Sequence, residues 1–284
     1  KVASELVAQC APRREKIDDL LQMLRKCKAL GRISSSQAAS FQGKLNWVCS
    51  ASHGHIGRAA TQPLHQRQHE QVHEWTPSMS HMLEFLEAIL AEGVLPVLTV
   101  SMVPPKIWPV LIYTDASFHW LEGLPYAVLG FYVRDTASSL EYFSMLVLPL
   151  WYYSFLTPDL ATYITQAELV AAVAVFYTLP HVLRDRATIH FIDNTAALSA
   201  LVHGYAGKPD LARLVNVYHV QVVGLRCMTW NEWVPSKANP GDIPTRASRA
   251  NEMSPSAIFI PMVLPPIEEI EGDVAGWIAR TRQV

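Results

Sequence analysis

The hydrophobic period of the chain changes once, and that change limits what it can fold into. From residue 13 to residue 91 the apolar side chains recur at helical spacing, as in Ile17, Leu20, Leu21, Leu24 and Leu30. From residue 110 onward they alternate or run in short blocks typical of strands. The stretch between carries Pro96, Pro104, Pro105 and Pro109 and reads as an extended linker over 93–109. Helices are predicted over 13–30, 37–51 (capped within Ser34 to Ser36), 57–73 and 79–91. Beyond the linker, strands are predicted over 111–117, 126–135 and 140–148, then a helix over 164–179 and a strand over 187–193. Helices over 195–203 and 209–224, a strand over 227–234 and a helix or turn near 242–250 complete the pattern. The order β-β-β-α-β-α-α-β-α predicts an α/β fold with a mixed sheet, preceded by a small all-α region. The expected divisions are a helical region over 1–92, the linker, an α/β domain over 110–250, and a Pro-rich, acidic tail over 251–284 read as an extension.

Half the residues are hydrophobic and 17% are charged, which excludes a disordered chain. The most apolar run, 143–156, is 14 residues long and broken by Pro149. It falls short of the roughly 20 residues a membrane helix needs. The opening KVASELVAQC has no signal-peptide pattern, and Cys10, Cys27, Cys49 and Cys227 show no paired spacing. Both features suit reduced thiols in an intracellular segment of a longer chain. Residues 1–75 hold 11 Lys/Arg against 6 Asp/Glu, whereas 110–250 hold 9 against 11. A basic front beside an acidic-centred back suits a polyanion gripped by one part and processed by the other.

Four acids stand where acids are costly. Asp115 and Asp193 are each predicted at the end of an apolar strand, where side chains of an α/β sheet gather at one edge. Glu168 shares a helical stripe with Ala171, Ala172 and Val175, so it faces the sheet. Asp242, in NPGDIPTR, is expected to return to the same edge. Converging carboxylates repel one another, and a divalent cation removes that cost. An all-oxygen donor set suits Mg²⁺ or Mn²⁺ and suits zinc poorly.

Each acid also has an ordinary structural use. Thr165 and Glu168 have capping-box spacing, Asp193 or Asn194 could cap the helix that follows, and Asp242 could cap its own. Asp115 could be a turn residue. What these uses leave unexplained is four acids on suitable elements in one order. Of the 11 histidines, six lie between residues 53 and 81; His65, His69 and His73 have the spacing of one helix face, read as a surface stripe. His119 lies near Asp115, and the loop 118–125 reads as long and bulky. Trp120, Trp151, Tyr152 and Tyr153 read mostly as packing.

In order, YTDAS, QAELVA, FIDNTAAL and WVPSKANPGDIPTR resemble the four signature blocks of the RNase H domains of retroelement reverse transcriptases. The last block places Val234, Pro235, Asn239, Asp242 and Arg246 in matching positions. The segment beginning FQGKLNWVCSAS resembles the thumb and connection region that precedes such domains. The resemblance implies an RNase H-like fold and a metal-dependent endonuclease that cuts the RNA of RNA–DNA hybrids. Asp115, Glu168, Asp193 and Asp242 would be catalytic and would hold two Mg²⁺ or Mn²⁺ ions. Ser117, Asn194 and Arg246 would contact nucleic acid. No Tyr-X-Asp-Asp occurs, so polymerase palm and fingers are expected upstream in a longer polyprotein, with neither membrane nor small-molecule cofactor involved. Many relatives have a histidine just before Val-Pro of the last block; here Trp233 stands there. That departure suits the alternative, a decayed module that binds nucleic acid or serves as a scaffold.

Overall fold

The computed structural model describes residues 7–50, 55–91, 94, 98–101 and 108–271. Helix α1 (Arg14–Ala29) buries Ile17, Leu20, Leu21 and Leu24 and ends before Gly31, whose φ of 65° breaks the helix. Helix α2 (Ser35–Ser50) starts with a reciprocal cap: the Gln37 N–H donates to Ser34 Oγ, and the Ser34 N–H donates to Gln37 Oε1. Helices α3 (Gln62–Gln68) and α4 (Pro77–Ile89) follow, the latter capped by Thr76.

Two expectations for this region fail. The helix expected over 57–73 is a 3-10 turn (Ala59–Thr61) leading into α3, and it stops at Gln68 because the buried Arg67 donates to the Val72 and Glu74 carbonyls and folds the chain back. His73 then accepts from the Ile33 N–H instead of continuing a helix, so no stripe of His65, His69 and His73 forms. The region is also not all-α. Strand β1 (Val7–Cys10) pairs antiparallel with β2 (Leu98–Ser101), which lies inside the supposed linker. Neighbouring linker residues 92–93, 95–97 and 102–107 fall outside the described residues.

The second part is a six-stranded mixed sheet, as expected of the fold class. Its strands are β3 (Val110–Leu121), β4 (Leu124–Asp135), β5 (Glu141–Val147), β6 (Ala187–Ile192), β7 (Met228–Trp233) and β8 (Ile258–Phe259), in spatial order β7-β6-β3-β4-β5-β8. Strands β3, β4 and β5 pair antiparallel, while β6 is parallel to β3 and to β7. The loop expected at 118–125 is absent. Here β3 runs on to Leu121 and turns through Glu122 and Gly123, with φ of 52° and 81°. Two consecutive positive φ values make the tight hairpin whose twist matches the strands. Asp115 is therefore mid-strand, not at a strand end.

Helix α5 (Ile164–Thr178) is buried at every position from Gln166 to Phe176, so it is a core helix rather than an amphipathic one. It lies between the sheet and α8 (Pro209–Gly224); α6 (Pro180–Leu183) and α7 (Thr195–His203) complete that layer. The two cores meet along α8, whose Val220 and Val223 pack among the residues of α1 to α4. One polar chain crosses the interior. Tyr218 OH donates to Asn231 and so accepts from His190 Nδ1, leaving His190 Nε2 to accept from Thr114 Oγ1. Burial holds His190 neutral, its pKa near 3.

The tail was read as an extension, yet residues up to 271 pack. Strand β8 adds to β5, the Val263 N–H donates to Thr178 Oγ1, and α10 (Ile267–Glu271) buries Ile270. Pro261, Pro265 and Pro266 keep the stretch extended while Ile260, Met262 and Leu264 pack on the core.

Helix α9 (Asp242–Thr245) is a single turn seated on β3 and β4. It comes this close because Gly130 has no side chain: a Cβ there would lie 2.6 Å from Thr245 Cγ2 and 3.0 Å from the Gly241 carbonyl. Gly130→Ala is expected to cost about 1–3 kcal/mol, as overpacking does. At roughly 2–4 °C per kcal/mol for a chain of this size, a thermal melt reads the loss. An unchanged melting temperature would mean that α9 does not rest on β4.

Candidate metal site

The parallel register of β3 and β6 ends at Thr114↔Ile192, so Asp115 and Asp193 occupy the next position on neighbouring strands. Adjacent strands lie about 4.8 Å apart, which brings the two carboxylates together. Glu168, in the first turns of α5, comes within reach of both. One oxygen from each of Asp115, Glu168 and Asp193 lies within 4.8 Å of the other two, and the three could hold a metal ion.

None of the three uses its carboxylate as the ordinary readings suggested. The N-cap of α5 is Tyr163, with no side-chain cap, so Thr165 and Glu168 make no capping box. Asn194, not Asp193, caps α7, and its Oδ1 accepts from the Ala196 and Ala197 N–H groups. Asp193 is half-buried; Asp115 and Glu168 are buried. Glu168 Oε2 is buried with no hydrogen-bond partner. An orphaned carboxylate oxygen facing two other acids fits a hard cation, and an all-oxygen set fits Mg²⁺ or Mn²⁺ better than a softer metal.

The electrostatics follow from this packing. Burial pushes the Asp115 carboxyl up to about 7; the Thr245 hydroxyl opposes the rise, and the charges of Asp193 and Asp242 add to it. Burial, then the charges of Asp115 and Asp193, hold Glu168 well above the usual carboxylate range.

Asp242 is the exception among the four. It is buried and close enough to act on Asp115, but it is not among the converging oxygens. Its Oδ1 is ion-paired with Arg246, and Arg249 Nη1 lies 2.7 Å from its Oδ2. Arg246 is thus tied to the fourth acid, and Ser117 is half-buried two residues beyond Asp115 on β3.

Several supporting contacts were missed at the level of sequence, although Asn239 and Trp233 were named there as positions of the last block. Thr245 donates its hydroxyl to Asp115 Oδ2 at 2.8 Å, and its only signal was its place in the PTR of the last block. Asn239, fully buried, donates to the Thr114 carbonyl and accepts from the Gly241 N–H, fixing the approach to α9. Trp233 donates to the Asp193 carbonyl at 3.3 Å, a bond that holds the acid's backbone. Asp210 accepts from the Thr157 N–H and from Gln166 Nε2, pinning the start of α5 two residues before Glu168. No local pattern pointed to Arg249 or Asp210.

No protein-family model matches the chain. No curated protein matches it. Among solved structures, LC9-RNase H1, a type 1 RNase H with the type 2 active-site motif, is similar over 63% of this chain and 87% of its own, at 14% identity and a TM-score of 0.35. That likeness carries no residue role across to this chain.

The raised Asp115 pKa fixes a sign. Without metal, the folded state holds a proton that the unfolded chain releases near 3.8, so stability is lost as pH rises from about 4 to about 7. Asp115→Asn removes this penalty. In chelator, it is expected to melt several degrees above wild type at pH 8 and to show little gain at pH 4. A variant that melts lower at both pH values would show that the carboxylate is already neutralised.

Proposed function

We propose that this chain is a metal-dependent RNase H-type nuclease that hydrolyses the RNA strand of RNA–DNA hybrids. The observation that carries the reading is the convergence of Asp115, Glu168 and Asp193, with a buried oxygen of Glu168 left unpartnered. The order of the four sequence blocks supports the same reading. A divalent ion bound there supplies an activated water and offsets charge on the phosphate. The residues around it hold the carboxylates still. Thr245 fixes Asp115, the enclosure of α5 holds Glu168, and Trp233 restrains Asp193 through its carbonyl. Asn194 has committed its amide oxygen to the α7 cap, which leaves its NH₂ to donate to a ribose or phosphate oxygen. Ser117 and Arg246 border the same site and serve the same substrate.

In this proposal the domain spans 110–250 and works within a retroelement reverse transcriptase. Residues 1–92 form a thumb- and connection-like region, and palm and fingers are supplied upstream. The basic helices of the front part then grip the duplex through its phosphates.

A second reading is a decayed module that binds nucleic acid without cutting it. Its supports are the commitment of Asp242 to two arginines and Trp233 in place of a histidine.

Cleavage of a labelled hybrid separates the two. With Mg²⁺ or Mn²⁺ the protein is expected to degrade the RNA strand, and Asp193→Asn is expected to lower the rate about a hundredfold or more, the scale of losing one charge-stabilising group. Salt-sensitive binding with no metal-dependent cleavage would establish the decayed module instead.

A further inference from the structure

The four acids are not equivalent, and the difference lies in which cation each one faces. Asp115, Glu168 and Asp193 make no ion pair with Lys or Arg among the described residues. Asp242 has an arginine beside each carboxylate oxygen: Arg249 hydrogen-bonds Oδ2, while Arg246 makes an ion contact with Oδ1 but no hydrogen bond to it. These arginines differ in how firmly they are held. The Arg246 side chain is 55% exposed and, among the described residues, pairs with no acid but Asp242, so water and salt readily compete for it. The Arg249 side chain is 23% exposed and is clamped from both ends: Nη1 on Asp242, with Nε and Nη2 on Glu252 at 2.6–3.1 Å. A lysine at this position would keep the positive charge but not the forked, planar contact. The Arg246 N–H···O=C Ile243 and Arg249 N–H···O=C Arg246 bonds continue the turn of α9 and hold this corner beside the acids.

Resting on the reading that the three acids hold a divalent ion, we propose that Arg249 is the site's second positive charge. The free protein then takes one divalent ion, not two, with the Arg249 guanidinium standing where Asp242 would otherwise help to hold another. The carboxylates divide accordingly. Three with no fixed counter-charge take an exchangeable ion, and the fourth takes a built-in one. A guanidinium cannot activate water, so Arg249 would serve charge neutralisation only, and an ion held by Asp115, Glu168 and Asp193 would supply the water chemistry.

Mn²⁺ titration of the whole chain, free of nucleic acid and followed by the electron paramagnetic resonance of unbound Mn²⁺, tests this. Wild type is expected to bind one ion. Arg249→Met is expected to bind a second ion at least tenfold more tightly than wild type does. The double variant Arg249→Met with Asp242→Asn is expected to return to one ion, which shows that the gained site uses Asp242. Arg249→Lys keeps the charge and is expected to stay at one. Two ions on wild type, or an Arg249→Met protein that still binds one, overturns the role of Arg249. If wild type and Asp115→Asn both bind none, the metal reading of the three acids fails instead. Circular dichroism of each variant confirms that the fold persists.

Discussion

Mutual repulsion among buried carboxylates is the constraint around which this molecule is arranged. Asp115 and Glu168 are buried, Asp193 is half-buried, and their oxygens lie within 4.8 Å of one another. At that separation, and away from water, like charges cost several times what they would in solvent. Burial, with the neighbouring acidic charges, raises the pKa values of both Asp115 and Glu168. It leaves one Glu168 oxygen with no donor. An arrangement this strained without a cation is an arrangement suited to one.

The rest of the fold supplies the stiffness that keeps these groups from moving apart. Helix α5 is enclosed along its length, so Glu168 cannot swing out with its helix. Gly130 lets α9 sit on the sheet, which brings the Thr245 hydroxyl onto Asp115. Asn239 stitches the preceding turn to the backbone one residue before Asp115. Asp242 arrives at the same corner but meets Arg246 and Arg249 there, which separates it in kind from the other three.

Much of the α/β part is legible in the amino-acid order alone. Helices α7 and α8 coincide with the expected 195–203 and 209–224, and α5 with 164–179 to within one residue, because each has a clear start and a long apolar pattern. What failed depended on partners distant in sequence. The loop at 118–125 became strand because β4 was there to pair with it. The helix at 57–73 was cut short by Arg67 capturing carbonyls further along. The tail packed because β5 and α5 offered it an edge and a surface. A periodicity count sees neither a cross-strand partner nor an inward-turning arginine.

By itself the amino-acid order determined the class of fold, the elements on which the acids stand and the oxygen-only character of the donors, because hydrophobic period and residue chemistry are local properties. It did not determine which acids meet. The strand register at Thr114↔Ile192 brings Asp115 beside Asp193, the burial of α5 fixes Glu168 against them, and an arginine seven residues on claims Asp242. Those are properties of distance and dielectric, which exist only once the chain has closed on itself.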